Sequence, residues 1–357
     1  MDKIKVLIVD DSAFIRKIIR DILSADRQIQ VVDVAKNGKE AIEKLMTNEV
    51  DVITLDVEMP IMNGILTLEK IMNQKPTPVV MLSSLTKSGA DLTIQALNLG
   101  AVDFITKPSN IFKINDEEIK SLITDKIKIA SRVKVSKKPY TVEKKIKKIN
   151  KENLNKKDIN IRSDTVEYII AIGTSTGGPR ALQEVVTNIS KNINAPIVIV
   201  QHMPPGFTKS LAERLNNISQ IFVKEAEDGE IIKNGVAYIA PGDRHIKFKN
   251  EGKRIKIVLD DGQKVSSHKP SVDAMFYSLC EIDLKKMIAV VMTGMGSDGT
   301  KGLKKLKEMK SNVISIAEDE STCVVFGMPK SVINLGLADK VLPVNFISKE
   351  INKLMGV

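Results

Sequence analysis

Tryptophan is absent from this 357-residue chain, aromatic residues make up 4% of it, and it holds three histidines and two cysteines. So few aromatics suit the Ile/Val/Leu/Met cores of α/β layers better than an aromatic-rich binding surface. Nowhere do eighteen apolar residues run uninterrupted, which excludes an ordinary membrane-spanning helix. The start, Met1-Asp-Lys-Ile-Lys-Val-Leu-Ile-Val-Asp10, carries acids at both ends of a short apolar run. A soluble cytoplasmic protein is expected. Cys280 and Cys323 lie far apart without C-x-x-C spacing, so both read as buried thiols rather than a disulfide or a metal pair.

What is present is length for two domains, each able to bury its own core, and a net charge of +10. That charge is local: Arg132 to Arg162 holds twelve Lys/Arg against three acids, a net of +9. Like charges at this density keep a chain extended, so residues 132–162 read as a basic flexible linker, with a nucleic-acid arm as the rival use. It separates an amino-terminal domain, residues 1–131, from a carboxyl-terminal one, residues 163–357.

The first domain alternates strand and helix patterns. Strands are predicted at Lys5–Val9, Ile29–Val34, Asp51–Leu55, Pro78–Leu82 and Val102–Thr106, with helices from Ser12 and over Glu40–Met46, Ile65–Asn73, Ala90–Leu99 and Asp116–Ala130. Five βα units imply a doubly wound parallel sheet, whose ligands sit at the carboxyl ends of its strands. Those ends carry Asp10 and Asp11, Asp56, Ser83, and Lys107 followed by Pro108. Three carboxylates at one rim need a hard cation among them, and Mg²⁺ fits that need. Asp56 can attack a phosphoryl group to give an acyl phosphate, whose oxygens Ser83 and Lys107 would meet. Capping by Asp10 and Asp11 and an ordinary exposed Lys107 are the bland alternatives.

The elements Leu7-Ile-Val-Asp-Asp11, Asp56-Val-Glu-Met-Pro60 with Gly64, Leu82-Ser-Ser84 and Thr106-Lys-Pro108 resemble the receiver domains of two-component response regulators over about residues 3–122. The resemblance implies a flavodoxin-like sheet of strand order 2-1-3-4-5 and phosphorylation of Asp56 by a sensor histidine kinase. It also implies Mg²⁺ held by Asp10, Asp11 and Asp56, and a switch pair of Ser83 and Lys107. Asn63 departs from the family's frequent Asp, outside the acidic cluster.

The second domain opens on Val166-Glu-Tyr-Ile-Ile-Ala-Ile-Gly-Thr-Ser-Thr-Gly-Gly178, an apolar strand running into a G-x-S-x-G elbow and then a helical pattern. A phosphate-cradling loop would look similar. Further on, Pro196–Val200 leads into Gln201-His202, and Met287–Met292 into Thr293-Gly-Met-Gly-Ser-Asp-Gly299. Between them, short strands at Ile221–Val223, Val236–Ile239, His245–Phe248 and Arg254–Val258 read as a small antiparallel insert in a doubly wound parallel α/β domain. Neighbouring parallel strands deliver their turns to one rim, so Ser175, His202 and Asp298 can meet there as nucleophile, base and orienting acid. The backbone N–H groups of Thr176 and Met295 are the candidate oxyanion donors. The chain order Ser, His, Asp differs from that of α/β-hydrolases. His245 and His268 are read as structural, though either could line the cleft; Asp273, the rival acid, is read as a helix cap.

Together Gly173-Thr-Ser-Thr-Gly-Gly178, Gln201-His-Met-Pro-Pro-Gly-Phe-Thr208, Ala240-Pro-Gly242, His268-Lys-Pro-Ser-Val-Asp273, Thr293-Gly-Met-Gly-Ser-Asp-Gly299 and Val324-Val-Phe-Gly-Met-Pro329 resemble the catalytic domain of the CheB family of chemotaxis protein-glutamate methylesterases. The resemblance covers about residues 164–355. It implies hydrolysis of glutamate γ-methyl esters on methyl-accepting chemoreceptors, deamidation of receptor glutamines, and Ser175, His202 and Asp298 as the triad. It implies the chemotaxis histidine kinase CheA as phosphodonor and a place at chemoreceptor clusters. It also implies an unphosphorylated receiver that covers the catalytic cleft. No cofactor is expected in the esterase half, and neither nucleic acid nor membrane insertion is expected. A general serine esterase and a nucleic-acid-binding response regulator are the rival functions.

Overall fold

The computed structural model describes residues 3–107, 117–135, 165–252 and 254–357. The chain divides into two compact units, residues 1–142 and 143–357. Of the predicted linker, residues 136–162 lie outside the described residues, as do Pro108 and Asp116.

In the first unit β1 (Ile4–Val9), α1 (Ala13–Ser24), β2 (Ile29–Ala35), α2 (Gly38–Thr47), β3 (Val52–Asp56), α3 (Gly64–Gln74), β4 (Val79–Ser83), α4 (Lys87–Leu99), β5 (Asp103–Thr106) and α5 (Glu117–Ala130) follow one another. The strands pair in parallel in the order β2-β1-β3-β4-β5. Central strands of such a sheet are covered on both faces, which is why they read as unbroken apolar runs: Val6, Leu7, Ile8 and Val9 are all fully buried. Side-chain caps start the helices. Ser12, Asn37, Asn63 and Thr86 each accept the backbone N–H three residues on. Thr86 starts α4 three residues earlier than the apolar period at Ala90 indicates. Asn63 thus has a structural task, capping α3.

The second unit runs β6 (Tyr168–Thr174), α6 (Gly178–Thr187), β7 (Ile197–Gln201), α7 (Phe207–Ile218), β8 (Phe222–Glu225), β9 (Val236–Ile239), β10 (His245–Glu251), β11 (Arg254–Asp260), α8 (Val272–Leu279), β12 (Lys286–Val291), α9 (Thr300–Met309), β13 (Val313–Glu318), α10 (Met328–Asn334), β14 (Lys340–Leu342) and α11 (Val344–Met355). Seven strands form one parallel sheet, β14-β13-β12-β6-β7-β9-β8. The order reverses between β12 and β6, so the crevice at their carboxyl ends is the place where a doubly wound sheet binds its ligand.

The antiparallel insert is narrower than predicted. Among the described strands, β10 and β11 alone pair antiparallel, joined at Gly252, whose φ of 65° suits a tight hairpin. β8 and β9 instead extend the parallel sheet. Asn234-Gly235 looks like a hairpin turn, but Gly235 donates its N–H to Ala195 O and leads the chain into β9 beside β7. All four residues of β9 are buried, as befits an interior strand, whereas β11 alternates buried Ile255, Ile257 and Leu259 with more exposed neighbours.

Candidate active site

The elbow is held from below by its neighbours. Ser175 N–H and the Thr174 hydroxyl both donate to Thr293 O, at 3.0 and 2.9 Å, and Gln201 Nε2 donates to Ser175 O at 2.9 Å. Because its own N–H is spent on Thr293, Ser175 cannot supply an oxyanion donor. Gly294 explains the close approach of the β12 turn, since a Cβ there would lie 2.8 Å from the Ser175 Cβ. Thr293 in turn donates its hydroxyl to Thr176 O at 2.9 Å and its N–H to the buried Glu318 carboxylate at 2.8 Å. Burial pushes the Glu318 carboxyl up. Of the two proposed oxyanion donors, Thr176 follows the nucleophile and Met295 follows Gly294, with its side chain exposed.

The turns after β6, β7 and β12 share one device. Each ends in a glycine with positive φ (Gly177, Gly206 and Gly299) that serves as the N-cap of the next helix without any side-chain cap. None of α6, α7 and α9 therefore draws a side-chain cap from its own N-cap residue.

His202 and Asp298 meet here. His202 Nε2 lies 2.8 Å from Asp298 Oδ2, although 96 positions separate them. Thr174 and Gln201 are register partners, so Ser175 and His202 leave adjacent strands side by side. His202 Nδ1 is buried and has no hydrogen-bond partner. No hydrogen bond joins Ser175 to His202 among the described residues; without substrate, such bonds are often long and tighten when it binds.

Asp298 is 2% exposed and fully engaged. Besides His202 it accepts the Ser271 hydroxyl at 2.8 Å and the N–H groups of Val272 at 2.7 Å, Asp273 at 3.0 Å and Gly299 at 3.0 Å. Two of these amides open α8, whose dipole favours an anion. Burial alone would raise the carboxyl, but His202 and the backbone donors outweigh it and hold Asp298 down at about 2. The ring it faces is thereby oriented by a permanent anion.

Two neighbours depart from the sequence reading. Asp273 does cap a helix, but not its own: Ser271 caps α8 by accepting Ala274 N–H, while Asp273 accepts Gly302 N–H at 2.6 Å and so caps α9. Sequence proximity to one helix start hid its spatial proximity to another. His245 is structural as expected, buried between Gln263 O at 2.9 Å and Ser271 N–H at 3.2 Å. His268 is not remote: its ring stacks on His202 with centroids 3.9 Å apart and planes 10° apart. Ligand atoms of His202, His268 and Asp298 come within 4.8 Å of one another. Rings stacked face to face hold their nitrogen lone pairs in parallel planes, however, so those pairs do not converge on one ion. The sequence marks His268 only as the first residue of the His268-Lys-Pro-Ser-Val-Asp273 motif and as a ring that could line the cleft; its contact with His202 is set by the fold.

The first unit carries a second site. Lys107 Nζ lies 2.8 Å from both Asp10 Oδ2 and Asp56 Oδ1, and oxygens of Asp10, Asp11 and Asp56 lie within 4.8 Å of one another. Asp56 Oδ2 is buried and has no hydrogen-bond partner. Burial pushes the Asp56 carboxyl up to about 6, Asp10 adding to the effect and Lys107 opposing it. Three oxygen donors with one orphaned oxygen fit a hard divalent cation. Ser83 is buried and engaged with α4, its hydroxyl 3.1 Å from Gly89 O and 2.7 Å from the Thr93 hydroxyl. Gly64 is needed behind Asp56, where a Cβ would stand 2.1 Å from Asp56 O.

Among the described residues no helix is long and apolar enough to cross a membrane. Residues 170–351 match the CheB methylesterase family and residues 6–117 the response regulator receiver domain. A protein-glutamate methylesterase/protein-glutamine glutaminase of Oceanobacillus iheyensis is 48% identical over 95% of each chain, and one of Geobacillus kaustophilus is 47% identical over 100% of each. The crystal structure of the Thermotoga maritima CheB methylesterase catalytic domain matches 52% of this chain and 97% of its own, at 53% identity and a TM-score of 0.51. The chain belongs to the CheB family of protein-glutamate methylesterases/protein-glutamine glutaminases, with a response-regulator receiver domain preceding the methylesterase domain.

Proposed function

We propose that Ser175, His202 and Asp298 form the catalytic triad of a receptor-modifying hydrolase. The observation that carries this reading is the buried His202–Asp298 bond with its unpartnered ring nitrogen at the strand end next to Ser175. Ser175 Oγ attacks the γ-carbonyl of a glutamate methyl ester and gives its proton to His202 Nδ1. The tetrahedral oxyanion is met by the N–H groups of Thr176 and Met295; losing one such donor costs roughly 2.7–4 kcal/mol in activation free energy. His202 returns the proton to the departing methoxide, releasing methanol, and water then cleaves the acyl-enzyme by the same route. A glutamine side chain follows the same course with ammonia as leaving group, leaving glutamate. Asp298 keeps the imidazole oriented and balances its charge while it holds the proton.

Chemoreceptors of the methyl-accepting class supply these side chains, and the reaction serves chemotactic adaptation at cytoplasmic receptor clusters. The receiver regulates it. Asp56 accepts a phosphoryl group from the chemotaxis histidine kinase CheA, and Asp10, Asp11 and Asp56 would hold Mg²⁺, which supplies positive charge to the phosphoryl oxygens. Lys107 and Ser83 then turn to the new phosphate, and Ser83 exchanges its contacts with Gly89 and Thr93 for that purpose. Phosphorylation relieves an inhibitory action of the receiver on the esterase.

Methanol release from methylated receptor, measured for wild type and Ser175→Ala with and without a small phosphodonor, tests the reading. Ser175→Ala is expected to abolish release, and the phosphodonor to raise it in wild type but not in Asp56→Asn. Undiminished release by Ser175→Ala refutes the triad. A 163–357 fragment no faster than the unphosphorylated full chain refutes the inhibitory receiver.

A further inference from the structure

His268 touches the proposed base and has no task in the mechanism above. Its placement is built at some expense. Val265 and His268 exchange both backbone hydrogen bonds, at 3.1 and 2.9 Å, around Ser266 and Ser267, whose φ values are 50° and 66°. This is a two-residue hairpin of the kind that asparagine and glycine ordinarily occupy, and side chains in that left-handed region are strained. Ser266 is pinned on both sides. Its hydroxyl donates to Asp273 Oδ2 at 2.6 Å and its carbonyl receives His268 Nδ1–H at 2.6 Å, so the His268 ring is fixed in orientation as well as position. Asp273 itself is anchored at the start of α9 beside Asp298. A strained, doubly anchored turn thus presents one flat ring to the face of another.

His202 needs such a support. Its hydrogen bond runs from one edge to Asp298, which fixes that edge but leaves the ring free to tilt about it, whereas catalysis needs the opposite nitrogen kept on Ser175. We propose that His268 is a positioning residue for the esterase reaction: its ring, packed face to face on His202, holds that imidazole in the plane that joins Asp298 to Ser175. The proposal rests on the triad reading. The charges around the pair agree with it. Burial pushes the His268 imidazole below its ordinary range, His202 and Lys264 act the same way, and Asp298 opposes them. A neutral aromatic face accommodates the imidazolium that His202 becomes during attack, while a second cation at this separation would repel it.

The test measures kcat and KM for methanol release from membranes bearing radiolabelled methylated receptor, using the phosphodonor-treated full chain. Wild type, Ser175→Ala, His268→Ala and His268→Phe are compared, with thermal unfolding of each. His268→Ala is expected to lower kcat about 10- to 100-fold with KM within about twofold, and His268→Phe, which keeps a flat ring without ionisable nitrogen, to recover most of the loss. Wild-type kcat in His268→Ala overturns the proposal, as does a loss confined to KM, which would mean substrate contact. A folded His268→Phe as impaired as the alanine variant also overturns it. Should His268→Ala fail to fold, His268→Phe decides alone: near wild-type kcat supports positioning, and a large loss refutes it. Turnover by Ser175→Ala identifies the triad itself as the failed premise, and the positioning role falls with it.

Discussion

Asp56 in the receiver and Asp298 in the esterase unit occupy comparable places and ionise in opposite senses. Both belong to carboxyl-end rims of parallel sheets, and both are 2% exposed. Burial pushes Asp56 up to about 6, whereas Asp298 is held at about 2. Equal burial is therefore not what sets the charge. Asp298 receives three backbone N–H groups, a hydroxyl and an imidazole, and the amides come with the field of a helix start. Asp56 has Lys107 and one long bond from Glu58 N–H at 3.4 Å, next to the like charge of Asp10. One site is complete and keeps a fixed anion. The other is short of positive charge and keeps one buried oxygen without a hydrogen-bond partner.

The largest effect expected from breaking this contrast is in catalysis. Asp298→Asn keeps the shape but removes the anion and disturbs the tautomer of His202, so kcat for methanol release should fall by about 10⁴-fold. A loss under tenfold would show that the buried anion is dispensable.

A second prediction uses pH. The Asp56 carboxyl is raised in the folded state, so its contribution to receiver stability is complete below the unfolded value of 3.8 and is lost as pH rises through about 6. Between pH 4 and pH 7.5, without divalent cation, the receiver should lose about 2 kcal/mol from this group, recovered by Mg²⁺ or by Asp56→Asn. Asp298 is depressed, so its contribution is present above 3.8 and vanishes only as pH falls through about 2. Amide hydrogen exchange resolved by unit and expressed as protection relative to the intrinsic rate at each pH checks the contrast: receiver protection should be lower at pH 7.5 than at pH 4.5 in metal-free buffer, while the Asp298 contribution to the esterase unit stays unchanged over that range. Equal protection at the two values would contradict the unequal partnering.

Smaller effects sharpen the comparison. Ser271→Ala removes the hydroxyl that both caps α8 and donates to Asp298, and should destabilise the esterase unit by roughly 1.5–3 kcal/mol, read by denaturant unfolding. Asn63→Asp in the receiver preserves the α3 cap and should change stability by less than about 0.5 kcal/mol. A large drop there would mean that Asn63 belongs to the acidic rim.

Much of the fold was legible because parallel strands announce themselves as apolar runs and their helices by caps and periodicity. Asp10, Asp56 and Lys107 followed from strand ends, and their meeting is as expected. Misreadings arose where a local signal has two outcomes. Asn234-Gly235 makes a turn in either topology, and only pairing with β7 decides that β9 lies parallel. Asp273 looks like a cap for α8 because that helix adjoins it in sequence, yet α9 receives it. His268, in a loop without period, is read as structural although it could line the cleft, and only the fold places its ring on His202.

The order of residues by itself determined two α/β units and the three turns that carry Ser175, His202 and Asp298, because periodicity and turn chemistry act over a few residues. Which ring lies against which, and which carboxylate its donors hold as an anion, was decided by the packing of α8 against the β12 turn and of the 265–268 turn against His202. Those contacts join residues far apart in sequence, and their energies depend on burial and direction, which exist only once the chain has folded.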